Sequence, residues 1–188
     1  MPVVTESDAI TGVFIVEPDR HGDERGLFVE TYRREWFPQG REMIQANRAD
    51  RQAGCIVGLH YHLHQADYWY VPYGLARIVL HDLRAGSPTD GATLALDLGG
   101  AHRESHDHRG VFIPPGVAHG FAALTDMTIT YLVDGYYNAA DELGVAWDDP
   151  EIAADWVIAE PAMSDRDRAN PKRSEVAGAL RPVWSPGP

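Results

Sequence analysis

The chain has 188 residues with a formal net charge of −12, and 44% of its residues are hydrophobic. This length and composition predict one globular domain over residues 1–188, and the acidic excess argues against a nucleic-acid partner because it repels a phosphate backbone. With no apolar run near the ~20 residues of a membrane helix, no visible secretory signal and a single cysteine, we expect a cytoplasmic protein without a membrane partner.

Short apolar or alternating segments separated by Gly, Pro, Asn and Asp turns dominate the chain, as in all-β proteins. Strands are predicted, in chain order, over residues 12–18, 27–32, 55–62, 68–72, 75–83, 93–98, 110–113, 120–124 and 127–133. Helical patterns are short and occur near residues 33–37, 150–156 and 164–170. Many strands with little helix predict a sandwich, jelly roll or small barrel. The last dozen residues, rich in Pro, Gly and Ser, are expected to fray.

Three histidines, His60, His62 and His64, fall at alternate positions in one apolar and aromatic stretch. Because alternate side chains of a strand point to the same face, we expect these imidazoles to line one wall. Asp67 follows five residues after His62, and His119 comes after a Pro-Pro-Gly turn. Such a set can bind a divalent metal or supply a proton-transfer base, and the residues alone leave both open.

The spacing of residues 54–74 resembles the first cupin sequence motif, with Asp67 where Glu is usual. The second motif is partly present over residues 114–119, without its closing Asn. Two or three imidazoles with a carboxylate suit Zn, Fe(II), Mn or Ni. The alternative is that His62 and His64 are polar residues of a sugar pocket or face solvent. On the metal interpretation the ligands are His60, His62, Asp67 and His119.

A second resemblance covers about residues 12–171. It rests on ordered segments at residues 23–30, 45–47, 58–61, 82–91, 113–121, 131, 136–137, 142–150 and 164–167. In these segments the chain is similar to the dTDP-4-dehydrorhamnose 3,5-epimerase family. The resemblance implies an all-β cupin-type jelly-roll β-sandwich with a few short helices, a C-terminal tail from about residue 175, and a homodimer.

The resemblance also implies an isomerase that epimerises a dTDP-4-keto-6-deoxy sugar at C3, C5 or both, with no cofactor. His60 would remove the proton alpha to the C4 ketone, Asp167 would pair with that imidazole, and Tyr131 would return a proton on the opposite face. The structural alternatives are that Asp167 closes a capping box begun by Ser164 and that Tyr131 is barrel core. Residues implied to bind the nucleotide sugar, partly across a dimer interface, are Arg25, Phe28, Glu30, Gln45, Asn47, His119 and Tyr137.

The chain departs from the family pattern at three positions. Val57 stands where the family has an Arg, and His62 stands where Gln is usual. Asp67 is the nearest equivalent in this chain of a family Lys that is thought to stabilise the enolate. Loss of one oxyanion donor costs ~2.7–4 kcal/mol of barrier. A divalent ion held by His62, Asp67 and His119 would replace that Lys as a Lewis acid. If His60 joined the metal shell, it could not also be the free base.

Three hypotheses of different classes therefore stand side by side. The first is the nucleotide-sugar epimerase, the second is a metal-dependent cupin oxygenase, isomerase or lyase, and the third is a non-catalytic nucleotide-sugar-binding protein. Deuterium exchange into the sugar indicates the first, stoichiometric metal indicates the second, and binding without either indicates the third. A small-molecule nucleotide sugar is the expected partner in the first and third.

Overall fold

The architecture is taken from a computed structural model that describes residues 1–37, 41–102 and 105–185. Its strands are β1 (Val3–Glu6), β2 (Phe14–Glu17), β3 (Arg20–Asp23), β4 (Gly26–Val29), β5 (Gln45–Arg51), β6 (Ile56–Tyr61), β7 (Asp67–Asp82), β8 (Thr93–Gly100), β9 (Gly110–Ile113), β10 (Val117–Ala123), β11 (Met127–Val133) and β12 (Leu143–Gly144). The helix α1 spans Asp165–Arg168, and short 3₁₀ helices cover Arg34–Trp36, Ala139–Asp141, Arg173–Glu175 and Gly178–Leu180. Within these ranges no helix has the length and apolar character needed to cross a membrane.

The long strand β7 belongs to both sheets of a sandwich. Its first half pairs with β9 and β11, which gives a first sheet in the order β1-β2-β9-β7-β11-β5. Its second half pairs with β8 and β10, which gives a second sheet in the order β8-β7-β10-β6-β12. Strands β3 and β4 form a separate hairpin. The antiparallel pairing of these strands confirms the predicted all-β, cupin-type jelly roll.

The main hydrophobic core lies between the two sheets. The strands alternate, so one side chain in two points inward, and burying each large apolar side chain contributes ~1.5–3 kcal/mol. Buried members of this core are Trp69, Val71, Val111 and Ile129 from the first sheet and Ile78, Leu80, Leu98 and Phe121 from the second.

Several predicted elements are placed differently by the structure. The strands expected at 68–72 and 75–83 form one strand. Pro72 has no backbone N–H, but it lies at a β-bulge, where pairing with β11 does not require one. Strand β10 begins at Val117, so His119 lies in a strand and not in the turn before it. The helix expected near 150–156 is wrong, since residues 150–152 form only a turn. Strands β1, β3, β5 and β12 were not predicted.

The C-terminal segment is held against the body of the protein as far as residue 185. Tyr61 donates its hydroxyl to the carbonyl of Leu180 at 3.1 Å, and Ala85 bonds to the backbones of Pro182 and Trp184. The expectation of fraying is therefore wrong for residues 177–185. Residues 186–188 lie outside the part that the structure describes.

Candidate active site

A cavity of about 220 Å³ opens between the two sheets. Typical ligand pockets measure ~300–1,000 Å³. The cavity therefore suits one ring of a ligand better than a whole nucleotide. Its lining residues are Ala49, Arg51, Val57, His60, His62, Gln65, Asp67, Trp69, His119, Phe121, Ile129, Tyr131 and Glu142.

His60 and Asp167 form a hydrogen-bonded pair at the wall of this cavity. The Nε2 of His60 lies 2.6 Å from Oδ1 of Asp167. Burial opposes ionisation of Asp167, but the hydrogen bond and charge of His60, together with hydrogen bonds at Gly58 and Ser164, outweigh it and lower the pKa of this carboxyl. The carboxylate therefore accepts, Nε2 donates, and Nδ1 of the neutral ring is left with the free lone pair. That nitrogen is the one able to take a proton.

Local features of the backbone place this pair. A Cβ on Gly58 would lie 2.7 Å from the carbonyl oxygen of His119, so glycine is required for β6 and β10 to approach here. The N–H of Gly58 also donates to Oδ2 of Asp167 at 3.3 Å. Ser164 caps α1 by accepting from the N–H of Asp167 at 3.1 Å. The side chain of Asp167 turns to His60 instead of closing a capping box.

Tyr131 faces the same cavity from the opposite sheet. It lies on β11 of the first sheet, and its neighbour on the same face, Ile129, also lines the cavity. Burial raises the pKa of Tyr131, and the negative charges of Asp67 and Glu142 add to that effect, so its hydroxyl keeps its proton at neutral pH. Because His60 lies on β6 of the second sheet, a base and an acid stand on opposite walls.

A second group of side chains, His62, Asp67 and His119, also meets in the cavity wall. All three are buried, and one ligand-type atom from each lies within 4.8 Å of the others. His60 is not a member of this group, since its Nε2 is bonded to Asp167. The predicted metal ligands are thus divided by the structure into a set of three and a separate imidazole.

The third histidine of the alternating stretch does not reach the cavity. Strand β6 ends at Tyr61, and the chain turns before His64, which is exposed. The expectation that His60, His62 and His64 share one wall is therefore right for the first two and wrong for the third. The alternation of strand side chains applies only while the strand lasts.

Arg51 is a cavity residue that sequence reasoning missed. It ends β5, where the odd-numbered positions from Gln45 onward are less exposed than the even-numbered ones. Among the described residues that line the cavity, Arg51 is the one with a permanent positive charge. The only lysine of the sequence, Lys172, is exposed elsewhere. Gln65 and Glu142 also line the cavity and were not predicted.

The other predicted substrate contacts lie outside the cavity of their own chain. Arg25 and Phe28 are on the exposed β3–β4 hairpin, and Glu30 follows it and pairs with Arg33. Gln45 and Asn47 are half-buried on β5 and bonded to each other at 3.0 Å. Tyr137 is exposed. Only His119 of this set lines the cavity, where its buried ring has a pKa well below the usual value because of desolvation.

Comparisons with known proteins agree on one enzyme family. A family model described as dTDP-4-dehydrorhamnose 3,5-epimerase matches residues 7–175. The dTDP-4-dehydrorhamnose 3,5-epimerase of Shigella flexneri is 34% identical over 170 residues, which is 84% of this chain and 89% of the relative. The dTDP-4-dehydrorhamnose 3-epimerase of Streptomyces niveus is 36% identical over 167 residues, 85% of this chain and 78% of the relative.

A solved structure gives the same result. The dTDP-6-deoxy-D-glucose-3,5-epimerase of Legionella pneumophila Philadelphia 1, in complex with dTDP-4-keto-L-rhamnose, superposes with a TM-score of 0.90 at 30% identity. The match covers 98% of this chain and 100% of that one. The likeness therefore extends over nearly the whole fold.

Proposed function

The chain belongs to the dTDP-4-dehydrorhamnose 3,5-epimerase family, and from that premise we propose that it is an isomerase that epimerises a dTDP-4-keto-6-deoxy sugar at C3, C5 or both. The observation that supports the reaction best is the position of His60 and Tyr131 on opposite sheets of one cavity. Inversion of a carbon requires removal of a proton from one face and its return to the other, which these two walls allow.

The reaction follows from the protonation states of the site. The Nδ1 of His60 takes the proton alpha to the ketone, and the electrons of the broken C–H bond move to the C4 oxygen as an enolate. Tyr131 then gives its hydroxyl proton to the carbon from the other face, and the ketone re-forms. Asp167 stabilises the imidazolium that arises on His60 and fixes its tautomer. Proton exchange with water resets both residues.

Replacement of Asp167 with asparagine tests this role of the carboxylate. An amide can donate to Nε2, which shifts the ring proton to Nδ1 and removes the basic lone pair. We expect kcat to fall by a factor on the order of 10²–10⁴, with KM little changed. Asp165→Asn, on an exposed position of the same helix, is the matched control and should retain activity. Equal losses in the two variants would show that Asp167 only stabilises α1.

We further propose that Arg51 binds an anionic group of the substrate. It would take over from the arginine that the family has at the position of Val57. Arg51 lines the cavity, and the one hydrogen bond that the structure gives its guanidinium goes to the carbonyl of Asp50 at 2.9 Å. A charged hydrogen bond contributes ~1.5–3 kcal/mol. The remaining donors of this guanidinium are available for a phosphate.

Arg51→Gln should therefore raise KM for the nucleotide sugar about 10- to 100-fold while changing kcat little. Steady-state kinetics and a thermal-shift titration with dTDP measure the two effects. Arg48→Gln is the control, since Arg48 lies on the exposed face of the same strand and pairs with Asp50. An unchanged KM in Arg51→Gln would remove Arg51 from the binding site.

The exposed hairpin of β3 and β4 is the proposed point of contact with a second copy of the chain. Arg25 and Phe28 do not reach the cavity of their own chain, which agrees with a role across a homodimer interface. The homodimer and the roles of Glu30, Gln45 and Tyr137 in substrate binding stay predictions.

The proposed reaction is tested by incubating the protein with a dTDP-4-keto-6-deoxyhexose and following the sugar by proton NMR. Inversion at C3 or C5 changes the couplings to the neighbouring ring protons. We expect these changes to appear with enzyme and to be absent without it. Unchanged couplings at both carbons, with the nucleotide sugar bound, would contradict the proposal.

A further inference from the structure

We propose that His62, Asp67 and His119 form a binding site for one divalent transition-metal ion in the wall of the cavity. Two imidazoles and a carboxylate are a ligand set for Zn²⁺, Fe²⁺, Mn²⁺ or Ni²⁺. Three buried ligand atoms within 4.8 Å of one another leave further coordination positions directed to the cavity. An ion with metal–ligand distances of ~2.0–2.2 Å would draw these ligand atoms somewhat closer together.

The hydrogen bonds of the two imidazoles fix the tautomer that a metal requires. The Nδ1 of His62 donates to the carbonyl of Asp141 at 2.7 Å, and the Nδ1 of His119 donates to the carbonyl of Val117 at 3.0 Å. A carbonyl oxygen can only accept, so Nδ1 holds the proton on each ring and Nε2 keeps its lone pair. Backbone carbonyls commonly orient metal-binding histidines in this way.

The carboxylate of Asp67 is buried, and among the described residues no positively charged group is hydrogen-bonded to it. Its oxygens accept from two neutral donors, Gln65 at 2.9 Å and Trp69 at 3.1 Å. Among the described residues, its one ionisable neighbour at ion-pair distance is His62, with Nε2 3.8 Å away, which is too long for a hydrogen bond. A buried anion is costly unless a cation accompanies it. A divalent ion between these three side chains would remove that cost.

The site and the base do not compete. His60 is bonded to Asp167 and is not one of the three ligands, so an ion at this position leaves its Nδ1 free. A bound ion would supply Lewis-acid polarisation of a ketone oxygen. The sequence has no lysine in the cavity for that purpose, because Lys172 is exposed elsewhere.

The test measures metal directly. The protein is produced without a histidine tag, stripped with a chelator and dialysed against Zn²⁺ or Co²⁺, and the bound metal is counted by mass spectrometry. We expect about one equivalent per chain for the wild type, with the visible absorption bands of coordinated Co²⁺. No substrate is present, so failure of this test leaves the proposed epimerisation untouched.

Variants locate the ion within the protein. His62→Gln and Asp67→Asn should weaken Co²⁺ binding at least about 10-fold. His64→Gln should bind as the wild type does, since His64 is exposed and outside the group. Circular dichroism checks that each variant is folded. Less than about a tenth of an equivalent in the wild type would overturn the proposal whether or not the variants fold. Equal binding in all three variants would also overturn it.

Discussion

Replacing His60 with asparagine is expected to lower the rate of epimerisation by a factor on the order of 10³–10⁴, because among the described residues of the cavity lining His60 is the imidazole that is hydrogen-bonded to a carboxylate. In the described part of the cavity wall, His62 and His119 donate Nδ1 to backbone carbonyls and lack a carboxylate partner equivalent to Asp167. The loss should appear in kcat. Rates of sugar epimerisation measured by NMR give the comparison.

The matched control for this variant is His64→Asn. His64 lies four residues further along the chain, has the same side chain and is exposed outside the cavity. It should keep the wild-type rate, and dTDP should raise the melting temperature of both variants by similar amounts. If His60→Asn kept more than about a tenth of wild-type kcat, another residue would be the base.

Replacing Tyr131 with phenylalanine is expected to separate proton removal from inversion. The hydroxyl is lost, so return of a proton to the far face should slow by a factor on the order of 10²–10⁴. His60 remains and can still remove the proton and return it to the same face. In D₂O we therefore expect deuterium to enter the starting sugar with retained configuration, while the epimer accumulates slowly. Mass spectrometry and NMR distinguish the two outcomes.

Tyr73→Phe serves as the control for Tyr131→Phe. Tyr73 is an exposed tyrosine of β7, away from the cavity lining, so its loss of a hydroxyl should change neither exchange nor inversion. Wild-type inversion in Tyr131→Phe would exclude Tyr131 as the acid. A parallel loss of exchange and inversion would assign it to binding or packing instead.

The fold was predictable wherever a strand has an apolar face. The strand expected at 127–133 is β11 with the same bounds, and that at 110–113 is β9, because both are largely buried. Strand β5 was missed since its sequence, Gln-Ala-Asn-Arg-Ala-Asp-Arg, is polar on both faces and it is held by pairing with β11. Three of its four less exposed positions, Gln45, Asn47 and Arg51, are polar, so hydrophobic alternation is absent.

The site was predictable where a motif defines it and not where only tertiary structure does. Family segments indicate His60 and Asp167, yet their contact joins residues 107 positions apart and is seen only in the fold. Arg51 belongs to no motif and lines the cavity because β5 pairs with β11, the strand that carries Ile129 and Tyr131. The grouping of His62 with Asp67 and His119 likewise depends on tertiary structure, since β6 and β10 pair at His60 and His119 while Asp67 belongs to the first sheet.

Solvent exchange tests the central proposal most directly. The protein is incubated in D₂O with a dTDP-4-keto-6-deoxyhexose, and deuterium in the sugar is located by NMR and counted by mass spectrometry. Proton removal by His60 and return from Tyr131 predict one deuterium at each epimerised carbon, C3, C5 or both, with inverted configuration. A nucleotide sugar that binds, as shown by a rise in melting temperature, yet gains no deuterium at either carbon would contradict the account.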